Sequence, residues 1–230
     1  MELNHILFIP DGNRRWAKKR GQNPWEGHKA GAESFKELMD FITKNNVVKN
    51  ISFWAMSKDN FIKRPKKEIS FLIKIINEAF KSFTKDKNIN DRGVNIRFYG
   101  EWDKIFDKKT VQNLKQIEKD TKNNNRFFLS ILLAYDGKVE LIESINNLKK
   151  NIKVTAEKIK ENLWTKSLPD VDLIIRTGVK NDPHLSGNVL LWQTSYSQLY
   201  FTETLWPDLN KIELKKAILD FAKRQRRKGK

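Results

Sequence analysis

Near-continuous apolar runs, each followed by a helix-length amphipathic pattern, are what most restrict the fold of this chain. The runs are HILFI at 5–9, VKNISFWAM at 48–56, VNIRFYG at 94–100, FFLSILLAY at 127–135 and VDLIIRTG at 171–178. NVLLWQ at 188–193 and SQLYFT at 197–202 read as further strands. A strand with one wet face alternates apolar and polar side chains, whereas one without alternation is buried on both faces, the condition of a parallel sheet. Between the runs, residues 26–45, 67–84, 104–120, 138–150 and 154–163 repeat apolar positions every three or four residues, the period of a helix with one buried stripe. Strand and helix in alternation predict a single α/β domain over 1–230, with a mostly parallel central sheet flanked by helices. A chain of 230 residues buries a sizeable core without a metal or disulfide staple, and no Gly/Ser/Pro-rich linker or repeat divides it.

In open sheets of this kind, ligand-binding loops gather at the carboxyl ends of the strands. That puts Asp11-Gly12-Asn13, Ser57-Lys58-Asp59-Asn60 and Arg176-Thr177-Gly178 on one rim. Gly12 allows the backbone to approach an anion, and the basic helix that begins at Arg14, Arg15 and Trp16 offers N–H groups and a positive dipole. Arg15, Arg64 and Arg176 can each donate forked hydrogen bonds to phosphate oxygens. Asp11 is the odd member, since an acid beside a phosphate repels it. A hard divalent ion such as Mg²⁺, held between one carboxylate and phosphate oxygens, resolves that conflict. Taken alone, Asp11-Gly12-Asn13 is also an ordinary turn after a strand. Ser57 and Asn60 also read as caps of the helix that follows, and capping is compatible with binding. His28, in PWEGHKAG, reads alone as a helix-cap or surface histidine; no partner histidine stands at zinc-ligand spacing.

The net charge of +17 points to anionic partners, whether nucleic acid, phosphorylated metabolites or an acidic lipid surface. Many lysines, however, sit in tracts such as KDKNIN and TKNNNR, where a solvated surface explains them equally well. The chain has no cysteine, which excludes disulfides, thiolate metal sites and cysteine nucleophiles and fits a reducing compartment. MELNH lacks the basic start of a signal peptide, and no uncharged apolar run reaches about 18 residues. A cytoplasmic location is the expectation.

The segments HILFIPDGNRRWAKKRG at 5–21, GHKAG at 27–31, SKDNFIKRP at 57–65, IIRTG at 174–178 and LLWQTSYSQLYFTETLWPDL at 190–209 together resemble the cis-prenyltransferases, the undecaprenyl diphosphate synthase family of isoprenyl transferases. The resemblance runs from residue 5 to the C-terminus in the family's order. It implies a hydrophobic tunnel between sheet and helices, a homodimer, and a peripheral membrane association through the product. The implied reaction is the Mg²⁺-dependent addition of isopentenyl diphosphate to an allylic diphosphate, giving a cis-polyprenyl diphosphate. By resemblance Asp11 is the central acid and metal ligand. Gly12, Asn13, Arg14, Arg15 and His28 match the allylic diphosphate side, with Trp16 the adjoining aromatic. Ser57 and Asn60 match the catalytic loop, where Asn60 takes part in removing the proton, with Phe61 and Arg64 as neighbouring substrate-binding candidates. Arg176, Ser186 and His184 match the isopentenyl diphosphate side, and Arg227 and Gly229 a further diphosphate contact. Candidate tunnel walls are Phe71, Leu72, Ile75, Ile76 and Phe80, with Ile131 and Leu133 on a strand; plain core packing explains the same residues. Phe71 either projects into the tunnel and stops elongation or faces another helix.

The chain departs from the family's pattern in several places. Pro10 replaces the usual methionine before Asp11, and Asn23-Pro24-Trp25 stands where an arginine is common. Phe61 replaces a tryptophan, and one extra residue precedes Arg64-Pro65. The segment after Arg176 is longer, with Asp182-Pro183-His184 near the place of a second arginine. Gln198 replaces the glutamate of a second metal position, and a neutral amide is the weaker ligand for Mg²⁺. Alternatives are a divergent member with another second substrate or a short product, a non-catalytic partner subunit, and a basic nucleic-acid-binding α/β protein. No RNA- or DNA-reading motif is present, so no nucleic-acid partner is expected.

Overall fold

The first strand, β1 (His5–Ile9), is buried at every residue, as the middle of a parallel sheet requires. The structure, a computed structural model, describes residues 2–85, 91–148, 153–185 and 188–224, with the side chains of 80–85 excepted. Among these residues the sheet is completed by β2 (Asn50–Ser57), β3 (Val94–Tyr99), β4 (Phe127–Tyr135), β5 (Leu173–Arg176) and β6 (Gln198–Phe201). Its six strands lie in the order β3-β4-β2-β1-β5-β6, and every ladder is parallel. From β1 the chain steps outward through β2 on one side and later returns to β5 on the other. β1 and β5 therefore flank a topological switch point, where the loops leaving neighbouring strands part and open a crevice.

Alternation along β1 sorts the core into two layers. Ile6 and Phe8 face one cluster with Leu38, Ile51, Leu129 and Leu214, while Leu7 and Ile9 face another with Leu132, Ile174 and Leu190. The helices are α1 (Asn13–Lys19), α2 (Pro24–Lys44), α3 (Lys58–Lys63), α4 (Lys66–Lys85), α5 (Trp102–Ile105), α6 (Lys108–Thr121), α7 (Gly137–Asn146), α8 (Ala156–Asn162) and α9 (Lys211–Lys223). The helix expected over 104–120 is broken at Asp107, whose carboxylate accepts from the Thr110 N–H at 3.0 Å and starts α6. The strand expected at 188–193 is a chain of turns instead. Leu190 takes a positive φ of 46°, and its fully buried side chain packs in the second core layer, so the apolar run reflects burial and not extension. No helix among the described residues is long and apolar enough to cross a membrane.

Two glycines on α2 fix how closely it approaches the loop after β1. A β-carbon at Gly27 would lie 2.0 Å from the Asn13 carbonyl oxygen, and one at Gly31 2.3 Å from Asn13 Oδ1. Gly27→Ala adds helix propensity of about 1 kcal/mol, but it overpacks against backbone, which costs about 1–3 kcal/mol or more. We predict a lower urea midpoint for this variant; an unchanged or higher midpoint would contradict the close approach.

Candidate active site

Gly12 follows β1 with φ at 112°, a conformation that strains any L side chain, and turns the chain into α1. Asp11 sits at that turn with its backbone fixed: its carbonyl accepts from Thr177 Oγ1 at 2.7 Å and from the Trp206 N–H at 3.0 Å. Its carboxylate bridges two arginines, with Arg15 Nη2 at 3.1 Å from Oδ1 and Arg176 Nη2 at 3.2 Å from Oδ2. The Asp11 side chain is 42% exposed, whereas that of Arg176 is 6% exposed. A buried cation thus holds a carboxylate that opens outward. The second end of Arg176 donates to the His184 carbonyl.

On the other side of the loop a second cluster forms around Glu68, a buried carboxylate on α4. Arg64 Nη1 stands 3.3 Å from Glu68 Oε1, His28 Nε2 3.5 Å and Arg14 Nε 3.9 Å. Burial, with the Arg64 charge adding to it and Glu68 opposing, pushes the His28 pKa down to about 4, so the ring is neutral near pH 7. Ser57 caps α3, accepting from the Asn60 N–H at 3.0 Å, which holds Asn60 at the rim. A register shift between Trp54 and Met56 on β2 bulges the strand where it reaches this rim.

Asp11, Asn13, Arg14, His28, Ser57, Asn60 and Arg64 line the mouth of a cleft of about 760 Å³. Further residues of its lining are apolar: Phe35, Phe53, Leu72, Ile75, Ile76 and Ile131. This wall contains several of the expected tunnel residues. Leu133 is not among them and is fully buried in the core. Phe71 is not among them either: it stacks on Trp25, centroids 5.3 Å apart, so of the two readings of Phe71 the structure gives the one that faces another helix.

Other expected site residues lie outside the cleft lining. Trp16 donates through Nε1 to Asp208 at 2.7 Å, with the Arg20 guanidinium over its ring. Phe61 packs on Phe106, centroids 6.2 Å apart. The His184 ring is turned to the Asp182 carboxylate at 3.2 Å, so its carbonyl, not its imidazole, meets the arginine. Gln198 begins β6 opposite Leu173, at the amino end of the sheet, where Oε1 accepts from Arg224 at 3.4 Å. Within one chain it is therefore not brought to Asp11, which follows the carboxyl end of β1. Ser186, Arg227 and Gly229 lie outside the described residues. Glu68 is the residue that sequence reading missed; it lies in the first turn of α4, four positions after Arg64, the extended residue that closes α3.

Among the described residues no three acidic, histidine or cysteine side chains gather to cage a metal. One outward carboxylate among arginines is still a fitting donor set for Mg²⁺, which takes one or two carboxylates and completes its shell with phosphate oxygens and water. A carboxylate braced by arginines, at the mouth of a cleft with an apolar wall, is an arrangement that can take a diphosphate with a hydrocarbon tail. The family described as "Putative undecaprenyl diphosphate synthase" matches residues 9–229, and the chain belongs to that family. It is 35% identical over 98% of its length to the tritrans,polycis-undecaprenyl-diphosphate synthase (geranylgeranyl-diphosphate specific) of Methanopyrus kandleri, covering 84% of that protein. Among solved structures, a probable undecaprenyl diphosphate synthase from Campylobacter jejuni is 30% identical with a TM-score of 0.80, each chain covered fully. Lavandulyl diphosphate synthase from Lavandula x intermedia, in complex with dimethylallyl diphosphate, shares the fold at 24% identity and a TM-score of 0.87, over 99% of this chain and 98% of that one.

The neutral state of His28 makes stability depend on pH. Its pKa falls from 6.5 to about 4 on folding, so the unfolded chain takes up the proton first as pH falls. Stability is complete above about pH 6.5 and is lost progressively towards pH 4, by about 2 kcal/mol at pH 5. Urea unfolding at pH 7 and pH 5 should show that loss in the parent and a loss smaller by about that amount in His28→Gln. An equal loss in both would mean that His28 titrates normally.

Proposed function

We propose that Asp11 is the centre of the prenyl transfer that this chain carries out, the joining of isopentenyl diphosphate to an allylic diphosphate. The single observation that carries this is the Asp11 carboxylate, braced by Arg15 and Arg176 and open to a cleft with an apolar wall. Arg14 and Arg64 bind the allylic diphosphate at the mouth, and neutral His28 adds a hydrogen-bond donor without competing for its charge. Mg²⁺ would be held by Asp11 together with diphosphate oxygens and would neutralise part of the charge that gathers on the leaving group. Arg176 holds the isopentenyl diphosphate.

The alkene of isopentenyl diphosphate attacks the allylic carbon. A carbon–carbon bond forms, and the carbon–oxygen bond breaks with its electron pair going to the departing diphosphate. A proton then leaves the new chain for a diphosphate oxygen that Asn60 holds in place. Arginines fixed before reaction stabilise the developing charge without reorganising, the largest single source of rate enhancement in such chemistry. The hydrocarbon passes into the apolar part of the cleft, where each buried methylene contributes about 0.8 kcal/mol. The reading takes the enzyme as a cytoplasmic homodimer that meets the membrane through its product, as family membership implies.

Activity is measured with radiolabelled isopentenyl diphosphate, Mg²⁺ and an allylic primer. A geranylgeranyl primer is the first choice, because the Methanopyrus kandleri relative is named for it. Asp11→Ala should stay folded and lose at least about a hundredfold in rate, roughly 3 kcal/mol of transition-state stabilisation. Near-normal turnover in that variant would remove Asp11 from the centre of the reaction.

A further inference from the structure

α3 carries Asn60 to the cleft, yet it is six residues long and none of them is buried. A helix much shorter than about 12 residues does not hold itself together in water, so its place at the rim depends on what it rests against. Its residues divide between two sides. Asp59 and Asn60 line the cleft, whereas Lys58 and Phe61 do not. At about 100° per residue, Lys58 and Phe61 share one side of the helix, and Asn60 lies about 200° round from Lys58.

The side turned from the cleft rests on residues 101–106. Lys58 Nζ stands 2.5 Å from Glu101 Oε2, and the Phe61 ring packs on Phe106. The Lys63–Asp59 pair is internal to α3 and ties it to nothing else, and Arg64 with Glu68 joins only its end to α4, the next element. Glu101, by contrast, is a fixed post. Its side chain is 12% exposed, and Oε1 accepts from Lys104 Nζ at 3.2 Å. Lys104 also reaches Glu143 on α7 at 3.0 Å, whose other oxygen accepts from Trp164 Nε1 at 3.0 Å. The backbone there is fixed too: Gly100 takes φ at 121°, and a β-carbon on it would lie 2.1 Å from the Leu133 carbonyl oxygen of β4. A chain of alternating charges thus runs from the start of α3 into the body of the domain.

We propose that Lys58 and Glu101 are positioning residues of the prenyl transfer: their ion pair docks the outer side of α3 on the turn after β3 and so holds Asn60 at the mouth of the cleft. This rests on the prenyltransferase reading and on the part it gives to Asn60. Neither Lys58 nor Glu101 lines the cleft, so both act through the placement of α3. A displacement of about 1 Å, caused by a change away from the chemistry, can cost up to about a hundredfold in rate.

Lys58→Met removes the charge and keeps most of the stem. Hydrogen exchange read by mass spectrometry should show the amides of 60–64 exchanging at least about tenfold faster than in the parent, with those of β4 unchanged. Kinetics should show kcat lowered about tenfold, with KM for the allylic primer within about twofold of the parent. Glu101→Gln should do the same, and Lys58→Arg should keep most of the parent rate. Lys63→Met, at the internal pair, should leave both readouts at parent values. In an Asn60→Ala background, Lys58→Met should lower kcat no more than about twofold further, because the group it positions is gone. Unchanged exchange at 60–64 in Lys58→Met would overturn the docking. Faster exchange with unchanged kcat, or full additivity with Asn60→Ala, would overturn the positioning role. An inactive parent chain would overturn the prenyltransferase reading instead, and the exchange measurement, which needs no turnover, would still decide the docking.

Discussion

The contact on which the rest of the site depends is the carboxylate of Asp11 held between Arg15 and Arg176. Alone at the end of a strand, Asp11 would be a turn residue. With a buried arginine behind it and a second arginine on the first turn of α1, it becomes a fixed negative point in a positive surround. An entering diphosphate can pair with the arginines, but it also meets the carboxylate and is repelled. The placing of Asp11 near Arg176 follows from the parallel pairing of β1 with β5, which sets Ile9 beside Arg176.

The cleft extends this polarity into apolar space. At the mouth, Glu68 gathers Arg14, Arg64 and His28 from separate elements, so three groups able to donate to an anion stand together. Further along the lining, α2, α4 and the sheet supply hydrocarbon surface. Gly27 and Gly31 let α2 come near enough to the Asp11 loop for both regions to belong to one cleft.

Strand identity was legible where burial is uniform: β1 and β4 coincide with the apolar runs at 5–9 and 127–135. It failed at 188–193, because an apolar run records burial, and Leu190 is buried within a chain of turns. The rim was legible because a parallel sheet sends its loops to one edge, so Asp11, Asn60 and Arg176 could be grouped from topology alone. Helix faces were less so. Phe71 and Ile75 share helical spacing, yet Phe71 turns to Trp25, a partner whose proximity only the packing of α2 on α4 creates. Glu68 was passed over as an acid in a helix's first turn, a position where carboxylates need no other reason to be. Gln198 matched by motif but lies at the opposite end of its strand from the rim, a distinction that motif order does not carry.

The central claim is that Asp11 repels the diphosphate until a divalent cation lies between them. Calorimetric binding of an allylic diphosphate to the parent and to Asp11→Asn, each with and without Mg²⁺, tests it most directly. The parent should bind weakly without the ion and much more tightly with it, whereas Asp11→Asn should bind the free diphosphate more tightly than the parent does and gain little from Mg²⁺. Equal tightening of both proteins by Mg²⁺ would contradict the account.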